Sequence, residues 1–222
     1  MKKRIISFFV LMGILVCANV FAATSAKEVF CYPLVTAPVI DGKIDGDKAW
    51  KNIPKTDGNF IIFGTDSEIS KKKTYFRTGY DSASLFIAIE CEEPDLKKIV
   101  SILYDEENVW SEDSVEVFIM PRTENEYFQF VTNAIGSRYN GISRTQVPLM
   151  EWQAKTSMGN KMWSAEIRIP FSTLDEKPKK GESWGFNVCR NIYSVDPIMN
   201  VSWATMFGSF HEPENFGKIT FK

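Results

Sequence analysis

The chain has 222 residues, of which 44% are hydrophobic and 24% charged, with a formal net charge of −2. Its opening, MKKRIISFFVLMGILVCANVFAATSA, runs from a basic start through an apolar stretch to Val20-Phe21-Ala22, the pattern of a cleaved secretory signal peptide over residues 1–22. Removing that segment takes away Lys2, Lys3 and Arg4 and leaves 23 basic against 28 acidic residues, a balance that argues against a nucleic-acid partner. The expected location is therefore secreted or periplasmic. Lipid anchoring at Cys17 is disfavoured, because Val16 is bulkier than the small residue such processing prefers. Residues 23–222 suffice for one domain with its own core, and no second apolar span follows. Cys31, Cys91 and Cys189 allow at most one internal disulfide, which the sequence does not choose. No CxxC or Cys/His cluster suggests zinc.

In chain order, residues 27–34 read as a short strand leading into PVIDGKIDGDKAW. Asp41, Asp45 and Asp47 crowd carboxylates there as a calcium loop would, but their spacing is not that of an EF-hand. Asx turns around two glycines account for the same residues without metal. Trp50 reads as a core anchor. Strands are expected over 59–63, 73–80 and 85–91, the last two joined by Asp81-Ser82-Ala83. Glu92-Glu93-Pro94-Asp95 stops the third, and 96–103 reads as a brief helical turn or loop.

The next stretch, 108–141, concentrates the chemistry. In Ser114–Met120 the residues Val115, Val117 and Ile119 alternate with Glu116, Phe118 and Met120, so the valine face meets a core and Glu116 points away from it. Arg138 and Asn140 stand two apart on the following hairpin arm and share a side, with Tyr139 on the other. Trp110 lies just before the first strand. An aromatic plane beside a carboxylate, a guanidinium and an amide suits a sugar, whose C–H face stacks and whose hydroxyls both donate and accept. The alternative is that Trp110 closes the end of the core while Glu116 and Arg138 form an exposed ion pair of little worth.

Further strands follow at 151–156, 162–169, 183–191, 201–203 and 218–221. Trp163 shares a face with Ala165, Ile167 and Ile169 and belongs to the core, whereas Trp152 is undecided. Lys177 to Gly181 is a solvated loop. Short strands, regular turns and no long amphipathic helix point to an all-β fold, an antiparallel β-sandwich.

Six pieces in order carry a resemblance: VIDGKIDGDKAW, WSEDSVEVFIM, FVTNAIGSRYNG, MWSAEIRIPFSTL, GESWGFNVCRN and SWATMFGSFHEPENFGKITF. Together they resemble the family 9 carbohydrate-binding modules, first met as appendages of xylanases, over most of residues 23–222. The resemblance implies a sandwich of two antiparallel sheets and a terminal sugar held between two tryptophans, with Trp110 matching the first and Trp203 the second. Glu116, Arg138 and Asn140 match the polar set, and Asn187, Arg190 and Asn191 are further candidates. It implies no cofactor, with structural calcium in some members, and a separate glycoside hydrolase as partner in polysaccharide breakdown.

Catalysis would need two carboxylates flanking a scissile bond. Asp113 and Glu116, three apart in one strand, would face opposite ways, and His211 has no nucleophile motif near it. No catalytic residue is expected. The alternative function is a DOMON-like haem b domain with Met206 and His211 as axial ligands. The leading expectation is non-catalytic binding of a glycan chain end.

Overall fold

The computed structural model describes residues 27–122 and 126–222, so the expected signal peptide and Cys17 lie outside them. Thirteen strands are present among the described residues: β1 Glu28–Pro33, β2 Ile61–Ile62, β3 Thr74–Tyr80, β4 Ser84–Glu92, β5 Ser114–Met120, β6 Phe128–Asn133, β7 Arg138–Ile142, β8 Thr145–Gln146, β9 Gln153–Met158, β10 Met162–Pro170, β11 Ser183–Ile192, β12 Met199–Ser202 and β13 Gly217–Phe221. The helical structure described is three 3₁₀ turns, at Leu96–Lys98, Val109–Ser111 and Pro213–Asn215. None of the described helices is long and apolar enough to cross a membrane. The strand expected over 59–63 contracts to Ile61–Ile62, with Phe60 sunk in the core just before it.

The strands follow one hydrogen-bonded path, β8-β7-β6-β5-β11-β13-β1-β3-β4-β10-β9, with β12 on β11 and β2 on β12. The expectation of two purely antiparallel sheets needs amending at β1. Its residues 28–31 pair in parallel with β13, and Tyr32 and Pro33 pair in parallel with β3. The sheet is consequently mixed and continuous, and it curls so that its two halves face each other over one core. Arg190 on β11 crosses that interior, donating to the carbonyls of Lys73 at 3.4 Å and Glu92 at 2.9 Å on the opposite half.

Alternation explains which side chains meet inside. Leu85, Ile87, Ile89 and Cys91 of β4 and Trp163, Ala165 and Ile167 of β10 share one buried face. The intervening Phe86 and Ala88 are also buried, because the segment bearing Ile44 and Trp50 covers the other side of β4. That double coverage makes β4 read as a nearly unbroken apolar run. Glu166 holds the cover in place, accepting from Trp50 Nε1 at 2.7 Å, Gly42 N at 2.9 Å and Asp41 N at 3.1 Å. At Gly42, where φ is +83°, a Cβ would stand 2.4 Å from the Thr156 carbonyl carbon, so both conformation and space require glycine.

This clasp accounts for the VIDGKIDGDKAW motif. Asp41 Oδ1 accepts from Lys43 N, and the two oxygens of Asp47 accept from Ala49 N and Val39 N. Among the described residues no group of three or more His, Cys, Asp or Glu side chains converges. Asp41 and Asp47 thus serve as turn acceptors, the role that Asx turns around two glycines give them. Cys31, Cys91 and Cys189 are buried free thiols with no bridge among them. Trp152, undecided from sequence, is buried and donates to Asn140 Oδ1 at 3.1 Å.

Candidate functional site

The register of the β7-β6-β5-β11-β12 ladder decides which side chains converge. Across it, Tyr139 pairs with Val131, Val131 with Glu116, Glu116 with Cys189, and Cys189 with Ser202. Side chains in one cross-strand row share a face, so Glu116 lies beside Tyr139. The neighbouring row on that face contains Ser114, Asn191 and Asn200. Opposite these rows, on the core face, stand Arg138, Thr132, Val115, Arg190 and Val201, then Asn140, Phe130, Val117 and Val188.

The polar face opens into a slot of about 410 Å³. Glu116, Gln129, Asn191, Asn200 and Tyr139 line it from the sheet, and Trp110, Phe63, Arg144, Ser209, Phe210 and His211 from the loops. Glu116 is 4% exposed. Its carboxylate accepts from Gln129 Nε2 at 2.6 Å and Asn191 Nδ2 at 2.7 Å, so an amide fixes each oxygen. Burial pushes this carboxyl above its ordinary range, with the Asn191 and Gln129 bonds pulling the other way. Tyr139 is also raised, first by burial and then by the charge of Glu116.

The walls come from opposite sides of this floor. Trp110 sits on the 3₁₀ turn packed against β5, β6 and β7 and is 41% exposed. The turn is anchored by Val109, buried with Val131 and Tyr139. Its following residue, Glu112, accepts from Ile102 N, Leu103 N and Asn133 Nδ2. Phe63 lies across the floor beyond β12, its amide bonded to the Asn200 carbonyl, and meets Phe210 edge to face at 5.4 Å. The Phe210 loop is seated on the sheet by Phe118, which contacts His211 and Phe216. Tyr127 Oη is 2.8 Å from His211 Nδ1, and Arg144 donates to the His211 carbonyl at 2.9 Å. Burial first, and then the Arg144 charge, lower the His211 pKa, leaving the ring neutral at pH 7.

Of the residues expected at the site, Trp110, Glu116 and Asn191 are brought together. The others are not. Trp203 is 4% exposed, edge to face with Phe76 at 5.4 Å and packed on Phe186. It stands two residues after the core Val201, so alternation turns it inward, away from Asn200 and Ser202. A Cβ on Gly217 would lie 2.5 Å from its ring, which shows how closely backbone covers it.

Arg138 and Asn140 do share a side, but that side is the core face. Arg138 pairs with Asp105 at 2.8 Å and donates to the Trp152 carbonyl, and Asn140 binds the carbonyls of Val147 and Pro148. Asn187 is buried, its Oδ1 accepting from Ala204 N, and Arg190 is buried against Glu92 and Glu93. Met206 is sealed in the core and does not line the slot, so it does not join His211 there. Asp113 is buried and accepts from Val100 N and Tyr193 N, a purely structural engagement.

Sequence reasoning missed Gln129, Tyr139, Asn200, Arg144 and the Phe63–Phe210 pair. For Tyr139 and Gln129 the signal was available, since both alternate with core residues in their strands; for Phe63 and Phe210 only the fold brings distant loops together.

Residues 40–222 match the family model described as carbohydrate family 9 binding domain-like. The chain belongs to this family. Two endo-1,4-beta-xylanases A, from Thermotoga neapolitana and Thermotoga maritima, are each 25% identical to it, over 191 and 197 residues. The matched region covers 82% of the chain but 17% of each xylanase, so the chain spans about a sixth of the length of these relatives. Among solved structures, a putative carbohydrate-binding protein from Bacteroides uniformis aligns with a TM-score of 0.71 at 16% identity, covering 89% of this chain and all of that one. A family 9 module from Caldicellulosiruptor kristjanssonii aligns with a TM-score of 0.67 in complexes with glucose and with cellotriose, at 20% and 19% identity. Those alignments cover 88% of this chain and 96% and 94% of the two structures. Carbohydrate binding is thus the property of the family, and its fold is the fold seen here.

Proposed function

We propose that this family 9 domain binds the end of a glycan chain in the slot without cleaving it. Trp110 covers one face of the terminal sugar, and the Phe63–Phe210 pair takes the opposing place that the sequence reading had given to Trp203. Glu116, Gln129, Asn191 and Asn200 meet the hydroxyls from the floor. The observation that carries the reading is a half-exposed indole standing beside a carboxylate that two amides already hold in place. The slot, at 410 Å³, is near the small end of ligand pockets, which run from about 300 to 1,000 Å³, and suits one or two hexose units.

No pair of carboxylates faces the slot among its lining residues, where Glu116 stands alone. An affinity in the roughly micromolar to millimolar range is expected, since each desolvated hydroxyl returns little net energy. The glucose and cellotriose held by the Caldicellulosiruptor module make these sugars the first ligands to try. The signal-like leader supports extending the reading to a role outside the cytosol, alongside a glycoside hydrolase.

Calorimetry with glucose and cellotriose tests it. Wild type should bind, Trp110→Ala should bind at least about 30-fold more weakly, and Phe210→Ala should also lose affinity, all with unchanged circular dichroism. Undiminished binding by Trp110→Ala would remove the slot as the sugar site.

A further inference from the structure

The slot is electrically unbalanced. Glu116 is buried at its floor, and its partners are neutral amides rather than a cation. Both guanidinium groups that the sequence placed near it are turned to the other face of the sheet, Arg138 onto Asp105 and Arg190 beside Glu93. Among the lining residues the sole cation is Arg144, and its charge bears on His211 and Tyr127. The Glu116 charge bears instead on Tyr139, Tyr193 and Cys189. Arg144 is held on the loop wall, where its guanidinium donates to the His211 carbonyl at 2.9 Å.

The floor is also rich in acceptors. Gln129 and Asn191 aim their N–H groups at Glu116, which leaves their carbonyl oxygens as acceptors, and the buried Oδ1 of Asn200 has no hydrogen-bond partner. A buried carboxylate without a counter-ion favours a ligand that brings one, and unpaired acceptors favour a ligand rich in hydrogen-bond donors. Neutral hydroxyls meet the second demand only.

We infer that the sugar this slot prefers carries a free amino group, whose ammonium sits on Glu116 and donates to the surrounding amide oxygens. The inference rests on the slot being the carbohydrate site and names the class of sugar it selects. An N-acetylated amine has no charge and one N–H in place of the ammonium's three, and gains little over the parent hexose.

Calorimetry at pH 7 with glucosamine, glucose and N-acetylglucosamine distinguishes the cases. For wild type, glucosamine should bind at least about tenfold tighter than the other two. Glu116→Gln, which keeps the shape and removes the charge, should erase that preference. As a check independent of the variant's folding, raising the pH until the glucosamine amine is deprotonated should erase it in wild type. Glucosamine binding no tighter than glucose, or a preference that survives Glu116→Gln or amine deprotonation, overturns the inference and leaves the carbohydrate reading intact. Binding of no sugar at all overturns both.

Discussion

Replacing Trp203 by alanine should destabilise this protein rather than blunt its binding. The indole lies inside the curled sheet, edge-on to Phe76 and Phe186 and covered by the Gly217 backbone. Removing a buried large aromatic side chain costs about 3–5 kcal/mol, the transfer energy of the ring plus the cavity it leaves. In a domain of this size each kcal/mol lowers the thermal midpoint by about 2–4 °C, so the expected drop is roughly 6–20 °C. Thermal and urea unfolding followed by circular dichroism measure it. Sugar titration well below the midpoint then asks whether the surviving folded fraction still binds, which it should, within about threefold. Trp110→Ala provides the mirror image: its ring is 41% exposed, so stability should change by less than about 0.5 kcal/mol while binding fails. If Trp203→Ala kept its midpoint and lost sugar, the inward orientation derived from the β12 alternation would be refuted.

The same logic gives Arg138→Ala: with its head on Asp105 and the Trp152 carbonyl, it should leave sugar affinity within about twofold and cost about 1 kcal/mol of stability by denaturant titration. Gly217→Ala would place a Cβ 2.5 Å from the Trp203 ring and 2.6 Å from the Lys27 carbonyl oxygen; overpacking there should cost about 1–3 kcal/mol, read as a lower urea midpoint. Glu93 is buried, and although burial opposes it, the bonds from Lys72, Ser194 and the Asp95 amide hold its carboxyl below the ordinary value of 4.5. Its stabilisation is therefore complete above about pH 4.5 and is lost as pH falls through the depressed folded value. Glu93→Gln should cost about 3 kcal/mol at pH 7, since it leaves Lys72 and Arg190 without their shared anion, and thermal scans should show the gap to wild type closing below pH 4.5.

Much of the fold was legible because alternation reports a strand and its two faces without reference to any partner. Trp163, Ala165, Ile167 and Ile169 could be assigned to the core from β10 alone, and Glu116 could be turned away from it from β5 alone. What alternation does not report is how one strand's faces match those of the next. Arg138 and Asn140 were correctly placed together, but only the pairing of Glu116 through Val131 to Tyr139 shows that their side is the core side. Trp203 was assigned to the slot by resemblance, against a local pattern, Asn200-Val201-Ser202-Trp203, that puts the apolar members inward. Phe63 and Phe210 are far apart in the chain, and neither carries a periodic signal. The parallel pairing of β1 likewise depends on contacts between Glu28–Cys31 and Lys218–Phe221, a separation no local pattern encodes.

That pairing makes β1 a zip between the two halves of the sheet. Nearly two hundred residues must be ordered around it before β13 can lock beside it, and such long loops close slowly. Until they do, β1 and β13 each expose an unsatisfied edge, the kind of surface on which chains pair with one another. Refolding from denaturant should accordingly be slow and improve on dilution, with self-association competing for as long as the zip stays undone.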